Sequence, residues 1–254
     1  MLYFIIILTA FAASLLTFFS GFGLGTILFP AFALFFPLEV AVALTGVVHF
    51  LTNIFKTGLI GKNIDKNILL RFGIPAIVGA IVGASLLSQF PDNQVITTWG
   101  DHYQITFLRI IVATLMVFFA LFEIIPFLKN LAFEKNWLSV GGLLSGFFGG
   151  LSGHQGALRS AFLIRYGLKK ETLIATGVAI ACLIDLTRLS LYYQRFLGSA
   201  LQAEWKLIAA ATLSAFIGAY FGNKLLKKVT IDAIQKIVAI ALIVMALCIG
   251  TGLI

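Results

Sequence analysis

The chain has 254 residues, of which 60% are apolar and only 11% are charged. Soluble domains carry about 25% charged residues, so the composition excludes a soluble globular protein and predicts an integral membrane protein. The formal net charge is +8, but most lysines and arginines lie in short loops between apolar blocks, which indicates membrane topology rather than a nucleic-acid partner.

The first apolar block, residues 2–36, is longer than one crossing and is interrupted by the glycines of SGFGLG. It has no Lys/Arg-rich start and no convincing cleavage site, which predicts a retained segment rather than a signal peptide. A helix needs about 20 residues to cross the hydrocarbon core. Residues 2–19 alone could therefore cross, so a broken hairpin and one crossing plus a re-entrant piece both stay open here.

Six later blocks are predominantly apolar over the length of one membrane-spanning helix. They cover residues 40–60, 67–90, 104–126, 172–194, 203–226 and 231–254. An eighth block, residues 137–166, is again longer and is broken by the glycines of GGLLSGFFGGLSGHQGALRS. Cys182 and Cys248 lie in different blocks without metal-ligand spacing, which predicts buried thiols and no disulfide, metal or cofactor. We predict one membrane domain over residues 1–254.

Four landmarks recur in the same order in both halves of the chain. They are SGFGLG and SGFFGG, Asn53-x-x-Lys56 and Asp185-x-x-Arg188, GAIVGASLL and GAYFGNKLL, and LRII and QKIV. Such internal similarity predicts a duplication, with one repeat over residues 1–128 and the other over residues 136–254.

The loop cations decide the orientation of the two repeats. If all eight blocks crossed, seven cations would face one side and six the other. If the two long blocks are hairpins broken at their glycines, eleven face one side and two the other, as the excess of Lys and Arg in cytoplasmic loops requires. We therefore predict an all-α polytopic membrane protein of two inverted four-segment repeats, each a glycine-broken helical hairpin plus three transmembrane helices. Both termini lie outside, and loops 61–67, 127–136, 166–171 and 227–231 are cytoplasmic.

Irregular backbone at membrane depth is tolerated only where it is buried in protein or lines a cavity. Broken helices of inverted repeats meet near the midplane, where their N-termini attract anions. We therefore expect residues 21–25 and 149–156 to approach each other there. Close helix packing is the alternative reading of glycines at this spacing, and we prefer it for GAIVGASLL and GAYFGNKLL. For residues 146–156 we prefer a binding turn, because packing does not require Ser152, His154, Gln155 and Arg159 together.

Charges inside a membrane are rare and functional by default, and here three cations, Lys56, Arg159 and Arg188, face one anion, Asp185. Thr45, His49, Asn53 and Lys56 share one helix face. Other readings remain for three residues. Lys56 could extend to the cytoplasmic surface, Arg188 could serve only as the partner of Asp185 one turn earlier, and His49 is equally well a packing histidine or a proton carrier.

Ser152, His154 and Asp185 have the residue types of a hydrolase triad. However, Ser152 and His154 are two residues apart, a poor spacing for a hydrogen bond on a helix, and there is no HExxH metal motif. We predict that the protein is not an enzyme. A passive anion channel is the stronger alternative to a carrier, because both can share one lining.

SGFGLGTILFPAFALFF, then EVAVALTGVVHFLTNIFKTGLIGKNID, then GIPAIVGAIVGASLL resemble the sulfite exporter TauE/SafE family, also called the toluene sulfonate uptake permeases. The shared pattern is a glycine-rich turn, a Pro before an apolar run, an A-x-A-x-T helix start, a basic loop with Ile-Asp and a G-A-x-x-G helix. The chain departs from it with Gly-Leu-Gly in the first turn and about six extra residues, GHQGALRS, in the second. The resemblance implies secondary transport of sulfite, sulfoacetate or other organosulfonates.

Together, residues and resemblance predict a transporter of the cytoplasmic membrane that binds a small anion and lipid, with a coupling proton or cation left open. The substrate-binding candidates are Arg159, Arg188, Lys56, His154, Gln155, Ser152, Asn53, Asp185, His49, Gly23 and Gly25.

Overall fold

The computed structural model of the chain describes residues 1–20, 23–89, 95–99, 103–129, 131–225 and 231–253. Parts of the predicted features lie outside these described residues. They are residues 21 and 22 of the first glycine turn, residue 130 of loop 127–136, and residues 227–230 of loop 227–231.

The first half of the chain contains six helices and one strand pair among its described residues. The helices are α1 (Leu2–Ser20), α2 (Leu24–Ala33), α3 (Leu38–Ile60), α4 (Lys66–Gln89), α5 (Phe107–Ile124) and the single turn α6 (Pro126–Lys129). The strands β1 (Val95–Trp99) and β2 (Tyr103–Thr106) lie between α4 and α5.

The described second half is entirely helical in its regular structure. Its helices are α7 (Leu138–Ser152), α8 (Gly156–Leu163), α9 (Lys170–Tyr192), α10 (Gly198–Leu225) and α11 (Ile231–Gly250). A π-helical turn, Tyr193–Leu197, joins α9 to α10, and α10 is kinked at Glu204.

Four described helices, α3, α4, α9 and α10, are long and apolar enough to cross a membrane. Shorter apolar helices occur at Leu2–Thr17, Leu24–Ala33, Phe107–Phe122 and Val238–Gly250. This confirms the predicted all-α membrane protein. Each of the six shorter blocks corresponds to one helix within a few residues, and each of the two long blocks corresponds to two helices. Large apolar side chains such as Ile74 on α4 and Leu213 on α10 are exposed, as expected of surfaces that contact lipid.

Both long blocks are broken, but the second break is shorter than predicted. The expected turn over residues 146–156 is wrong in its first part, because α7 continues through Ser152. Gly153 then adopts a left-handed conformation with φ 82°, and α8 begins at Gly156. The break is therefore residues 153–155, whereas Gly146, Gly149 and Gly150 are helical. Glycine is a poor helix former, so tertiary packing must hold this part of α7 in place.

That packing is a glycine seam between α4 and α7, formed by Gly79, Gly83, Gly142, Gly146 and Gly150. A Cβ at Gly146 would lie 2.0 Å from the Ala76 carbonyl oxygen, and one at Gly79 would lie 2.1 Å from that of Leu143. The two backbones thus touch, which only glycine permits. The packing interpretation of GAIVGASLL is confirmed, and it also applies to the glycines of α7.

Helix contacts pair the two halves reciprocally. α1 packs on α10, and α7 packs on α4. α3 and α9 contact each other, α3 also contacts α10, and α9 also contacts α4. In the first of these contacts, a Cβ at Gly218 would lie 2.4 Å from the Phe11 carbonyl oxygen, so GAYFGNKLL is a packing motif as well. The arrangement places α3 and α9 side by side, with α2 and α8 against them.

Residues 95–106 contain a strand pair that the sequence analysis did not predict. β1 and β2 are antiparallel, with Trp99 opposite Tyr103 and their rings stacked at 4.7 Å. The Trp99 indole donates to the Thr251 carbonyl oxygen at 2.6 Å. The Thr106 side chain caps α5 by accepting from the Arg109 N–H at 3.2 Å, so the helix begins later than the predicted residue 104.

Candidate functional site

The four charged residues predicted inside the protein are all buried. Lys56 is 4% exposed, Arg159 8%, Asp185 0% and Arg188 1%. Among the described side chains these are the only Lys, Arg, Asp or Glu in the buried class. Lys56 therefore does not extend to the protein surface, which removes that alternative. The buried side chains that the structure describes therefore carry a surplus of positive charge.

Asp185 on α9 is the centre of the site. Its Oδ1 accepts from Arg188 Nε at 3.0 Å and from Arg188 Nη2 at 2.9 Å, which is the predicted pair one turn apart. Oδ1 also accepts from Gln155 Nε2 at 3.5 Å. Oδ2 lies 2.5 Å from His49 Nδ1 on α3. One carboxylate thus joins α3, α9 and the second break.

The hydrogen bonds around His49 define its tautomer. A carboxylate only accepts hydrogen bonds, so Nδ1 carries the proton donated to Asp185, and in the neutral ring the lone pair is on Nε2. The Asn53 amide nitrogen is nearly equidistant from the two ring nitrogens, 3.2 Å from Nδ1 and 3.3 Å from Nε2, so it is in line with neither of them. Nε2 also faces the first break, since a Cβ at Gly23 would lie 3.1 Å from it. His49 therefore links Asp185 to the start of α2.

Residues 153–155 present polar groups to both sides of the break. Ser145 on α7 donates to the Gln155 carbonyl oxygen at 3.1 Å, which fixes the turn. The Gln155 side chain donates to Asp185 and accepts from Arg159 Nη1 at 3.4 Å. Arg159 lies on α8 against α9, where a Cβ at Gly177 would be 3.1 Å from its Nε. Gln155 thus connects Asp185 to the second arginine.

The two breaks meet beside Arg188. A Cβ at Gly25 would lie 3.6 Å from Thr45 Cγ2 and 3.9 Å from the Gly153 carbonyl oxygen. A Cβ at Gly153 would lie 3.0 Å from Arg188 Nη1, and one at Gly46 would lie 3.0 Å from Nη2. We call this place, formed by Gly25, Thr45, Gly46, Gly153 and Arg188, the junction. The predicted approach of the two turns is confirmed for the described residues, and its depth in the membrane stays a prediction.

Three buried polar atoms near the breaks have no hydrogen-bond partner among the residues that the structure describes. They are Thr45 Oγ1, His154 Nε2 and Arg188 Nη1. A buried polar group without a partner costs about 1–3 kcal/mol. Two of the three belong to junction residues, which suits a place that receives a polar ligand.

The cations lie on both sides of the His49–Asp185 pair. α3 and α9 run antiparallel, because Gly46 adjoins Arg188 and, further along α3, the Thr57 hydroxyl lies 4.0 Å from Cys182 Sγ. Arg188 is therefore beyond the pair on one side. Lys56 and Arg159 are on the other, close enough for their charges to repel each other.

Ser152 and His154 do interact, contrary to the spacing argument. Ser152 Oγ lies 3.1 Å from His154 Nδ1, because α7 ends at the left-handed Gly153 and helical spacing no longer applies. Asp185 does not complete a triad with them, since its oxygens bind His49 and Arg188. The His154 ring instead stacks on Phe119 at 5.5 Å and meets Phe29 of α2 edge-on at 6.3 Å.

Most of the sequence-derived candidates lie in one connected group. Asp185, Arg188, His49, Asn53, Gln155 and Arg159 are joined by direct contacts, Gly23 and Gly25 adjoin His49 and the junction, and Ser152 and His154 bind each other. Lys56 lies near Arg159. Sequence reasoning missed Gly46 and Gly177, whose only signal is a small residue on the same helix as a buried charge. In the described part of the chain, no group of three or more His, Cys, Asp or Glu residues could hold a metal ion.

The chain matches one family model, Sulfite exporter TauE/SafE, over residues 6–249. A comparison with curated proteins finds no match, and a comparison with solved structures finds none either. The family match covers nearly the whole chain, so the protein belongs to the TauE/SafE sulfite exporter family and is a multi-pass membrane protein of a transporter family.

Proposed function

We propose that the protein is a secondary transporter that moves small sulfur-containing anions, such as sulfite, sulfoacetate or other organosulfonates, across the cytoplasmic membrane by alternating access. The proposal rests on the buried polar groups around the breaks. The described buried side chains include three cations and one carboxylate. Two junction residues, Arg188 and Thr45, have polar atoms without a partner in the described structure.

An anion at the junction balances this charge. Among the described buried side chains there are three cations and one carboxylate, and burying charges of one sign together is costly. A sulfite or sulfonate group presents three oxygens on one small centre. Arg188 Nη1 and the Thr45 hydroxyl supply donors for two of them, because guanidinium binds such oxyanions well.

Helix termini add to this attraction. The first N–H groups of a helix have no partner within it and carry a partial positive charge. α2 begins at Leu24 after its cap Gly23, and Gly25 lies against the junction. Glycine permits an oxyanion to approach the backbone closely. α8 begins across the junction, at Gly156, so both breaks contribute.

Two inverted repeats account for alternating access. The reciprocal packing of α1 on α10 and α7 on α4 supports such a symmetry, as does the antiparallel pair α3 and α9. In this proposal the anion binds at the junction beside Arg188 and, when the two halves rock, leaves past Lys56 and Arg159 on the cytoplasmic side.

Transport is tested with purified protein in liposomes. We expect labelled sulfite or organosulfonate to enter with saturation and to show counterflow, whereas unitary currents would indicate a channel. Arg188→Lys keeps a charge beside Asp185 but loses the guanidinium fork, so it should bind the anion more weakly. Arg165→Lys, at an exposed arginine, is the control. Absence of movement of every small oxyanion would refute the proposal.

Topology is tested separately by labelling. In a background without Cys182 and Cys248, single cysteines in loops 61–67, 127–136, 166–171 and 227–231 should resist an impermeant reagent outside intact cells. A cysteine at position 93 should react. Labelling of the four loops from outside would contradict the inverted orientation.

A further inference from the structure

We propose that His49 Nε2 binds a proton that is carried across the membrane together with the anion. This rests on the proposed function and names its coupling ion. The geometry behind it is the His49–Asp185 pair, which lies between Arg188 on one side and Lys56 with Arg159 on the other, and whose Nε2 faces the first break.

The hydrogen bonds leave one place for the proton. Nδ1 donates to Asp185 Oδ2 at 2.5 Å, so a further proton can only bond to the lone pair on Nε2. The Asn53 amide nitrogen lies 3.2 Å from Nδ1 and 3.3 Å from Nε2. After protonation, rotation of this amide brings its oxygen within reach of the new N–H. The added proton therefore has an acceptor close by.

The surroundings of the pair make the proton's stability depend on an anion. The charged and titratable groups that interact with Asp185 besides His49 are Cys182, Arg188 and Tyr192 on α9 and Arg159 on α8. Lys56 on α3 interacts in turn with Arg159, and His154 in the second break interacts with Arg188. α2 and α7 contain no titratable residue. Asp185 is thus the sole buried carboxylate in the described structure, shared by several cations, and a protonated His49 adds one more.

The proton and the anion therefore stabilise each other. A proton on Nε2 places a full positive charge beside Gly23 at the start of α2, next to the break that holds the anion. The anion in turn offsets the repulsion between imidazolium and the nearby cations. By thermodynamic linkage, each ligand raises the affinity for the other by the same factor.

The transport step is balanced in atoms and charge. A hydronium ion on one side transfers a proton to Nε2, so its O–H bond breaks as the N–H bond forms, and water is left. When the site opens to the other side, the anion leaves, the N–H bond of Nε2 breaks and the proton passes to water. No redox partner is required, and one negative and one positive charge move together.

The test measures proton and anion flux in the same proteoliposomes, which contain a pH-sensitive dye. Labelled methanesulfonate is the substrate, because its charge does not change near neutral pH, whereas sulfite itself exchanges a proton there. We expect roughly one proton for each methanesulfonate in the wild type. His49→Gln keeps a polar side chain that cannot titrate, so its ratio should fall to near zero. His102→Gln, at a histidine between the apolar blocks 67–90 and 104–126 of the sequence, should keep the wild-type ratio.

The flux ratio does not depend on the amount of folded protein, so partial loss of a variant leaves the result readable. Methanesulfonate flux without protons in the wild type, an unchanged ratio in His49→Gln, or loss of the ratio in His102→Gln would each overturn the proton site while leaving the transporter proposal intact. If His49→Gln yields no protein, His49→Asn, a second polar side chain that cannot titrate, takes its place. Absence of methanesulfonate and sulfite flux in the wild type would overturn both.

Discussion

The glycine-rich segment of residues 141–160 contains two neighbouring regions with different roles. Its first part is the α7 side of the glycine seam, where Gly142, Gly146 and Gly150 touch the backbone of α4. Its second part is the break at residues 153–155 and the start of α8, where polar side chains reach Asp185. Glycine therefore permits close helix packing in the first part and interrupts the helix in the second. The seam should govern folding, and the break should govern binding.

The largest effect is expected from Gly146→Val in the seam. The added Cβ would lie 2.0 Å from the Ala76 carbonyl oxygen, and backbone cannot move aside as a side chain can. Overpacking of this kind costs about 3 kcal/mol, so little folded protein should remain. Thermal unfolding in detergent measures this. Gly58→Val, at a helical glycine with nothing within 4 Å, is the control, and equal midpoints for both variants would contradict the seam.

The second prediction concerns Arg159, which belongs to the break region. Arg159→Gln removes a buried charge beside Gln155 and Lys56, and hydrogen bonds to charged groups contribute about 1.5–3 kcal/mol. Transport should fall at least about tenfold, with the unfolding midpoint close to that of the parent. Arg159→Lys keeps the charge without the fork and should be intermediate in anion affinity. Parental transport by Arg159→Gln would remove this residue from the anion path.

The helices and the buried charges could be predicted from the sequence, whereas the end of α7 and the His49–Asp185 contact could not. The helices followed from block length, and the buried Lys56, Arg159, Asp185 and Arg188 followed from charges inside apolar blocks. The end of α7 could not be located, because the glycines of a seam resemble those of a turn and the seam's partner, α4, lies in the other half. The His49–Asp185 contact joins residues 136 positions apart and depends on the register of α3 against α9, which periodicity does not reveal.

The third prediction isolates the contact between the break and Arg188. Gly153→Ala would place a side chain at φ 82° and 3.0 Å from Arg188 Nη1. Gly167→Ala provides a matched control, since that glycine has φ 65° but nothing within 4 Å. Both variants incur backbone strain of about 1–2 kcal/mol. Only Gly153→Ala should also weaken anion binding, measured by the half-saturating concentration in counterflow. Equal weakening in both would assign the effect to strain alone.

The smallest effect is expected from Thr45→Val at the junction. Valine has nearly the shape of threonine, and Thr45 Oγ1 has no hydrogen-bond partner in the described structure, so no contact within the protein is lost. If the hydroxyl donates to the anion, its removal costs about 1 kcal/mol of binding, which is roughly fivefold in affinity. The unfolding midpoint should stay level or rise, because a buried hydroxyl without a partner is itself unfavourable.

Thr212→Val on α10 is the matched control, since that hydroxyl is likewise buried and unpartnered among the described residues but belongs to neither break. A gain in stability for both variants with a loss of affinity for Thr45→Val alone would identify the hydroxyl as a ligand donor. Equal affinities in the two variants would place the anion away from Thr45.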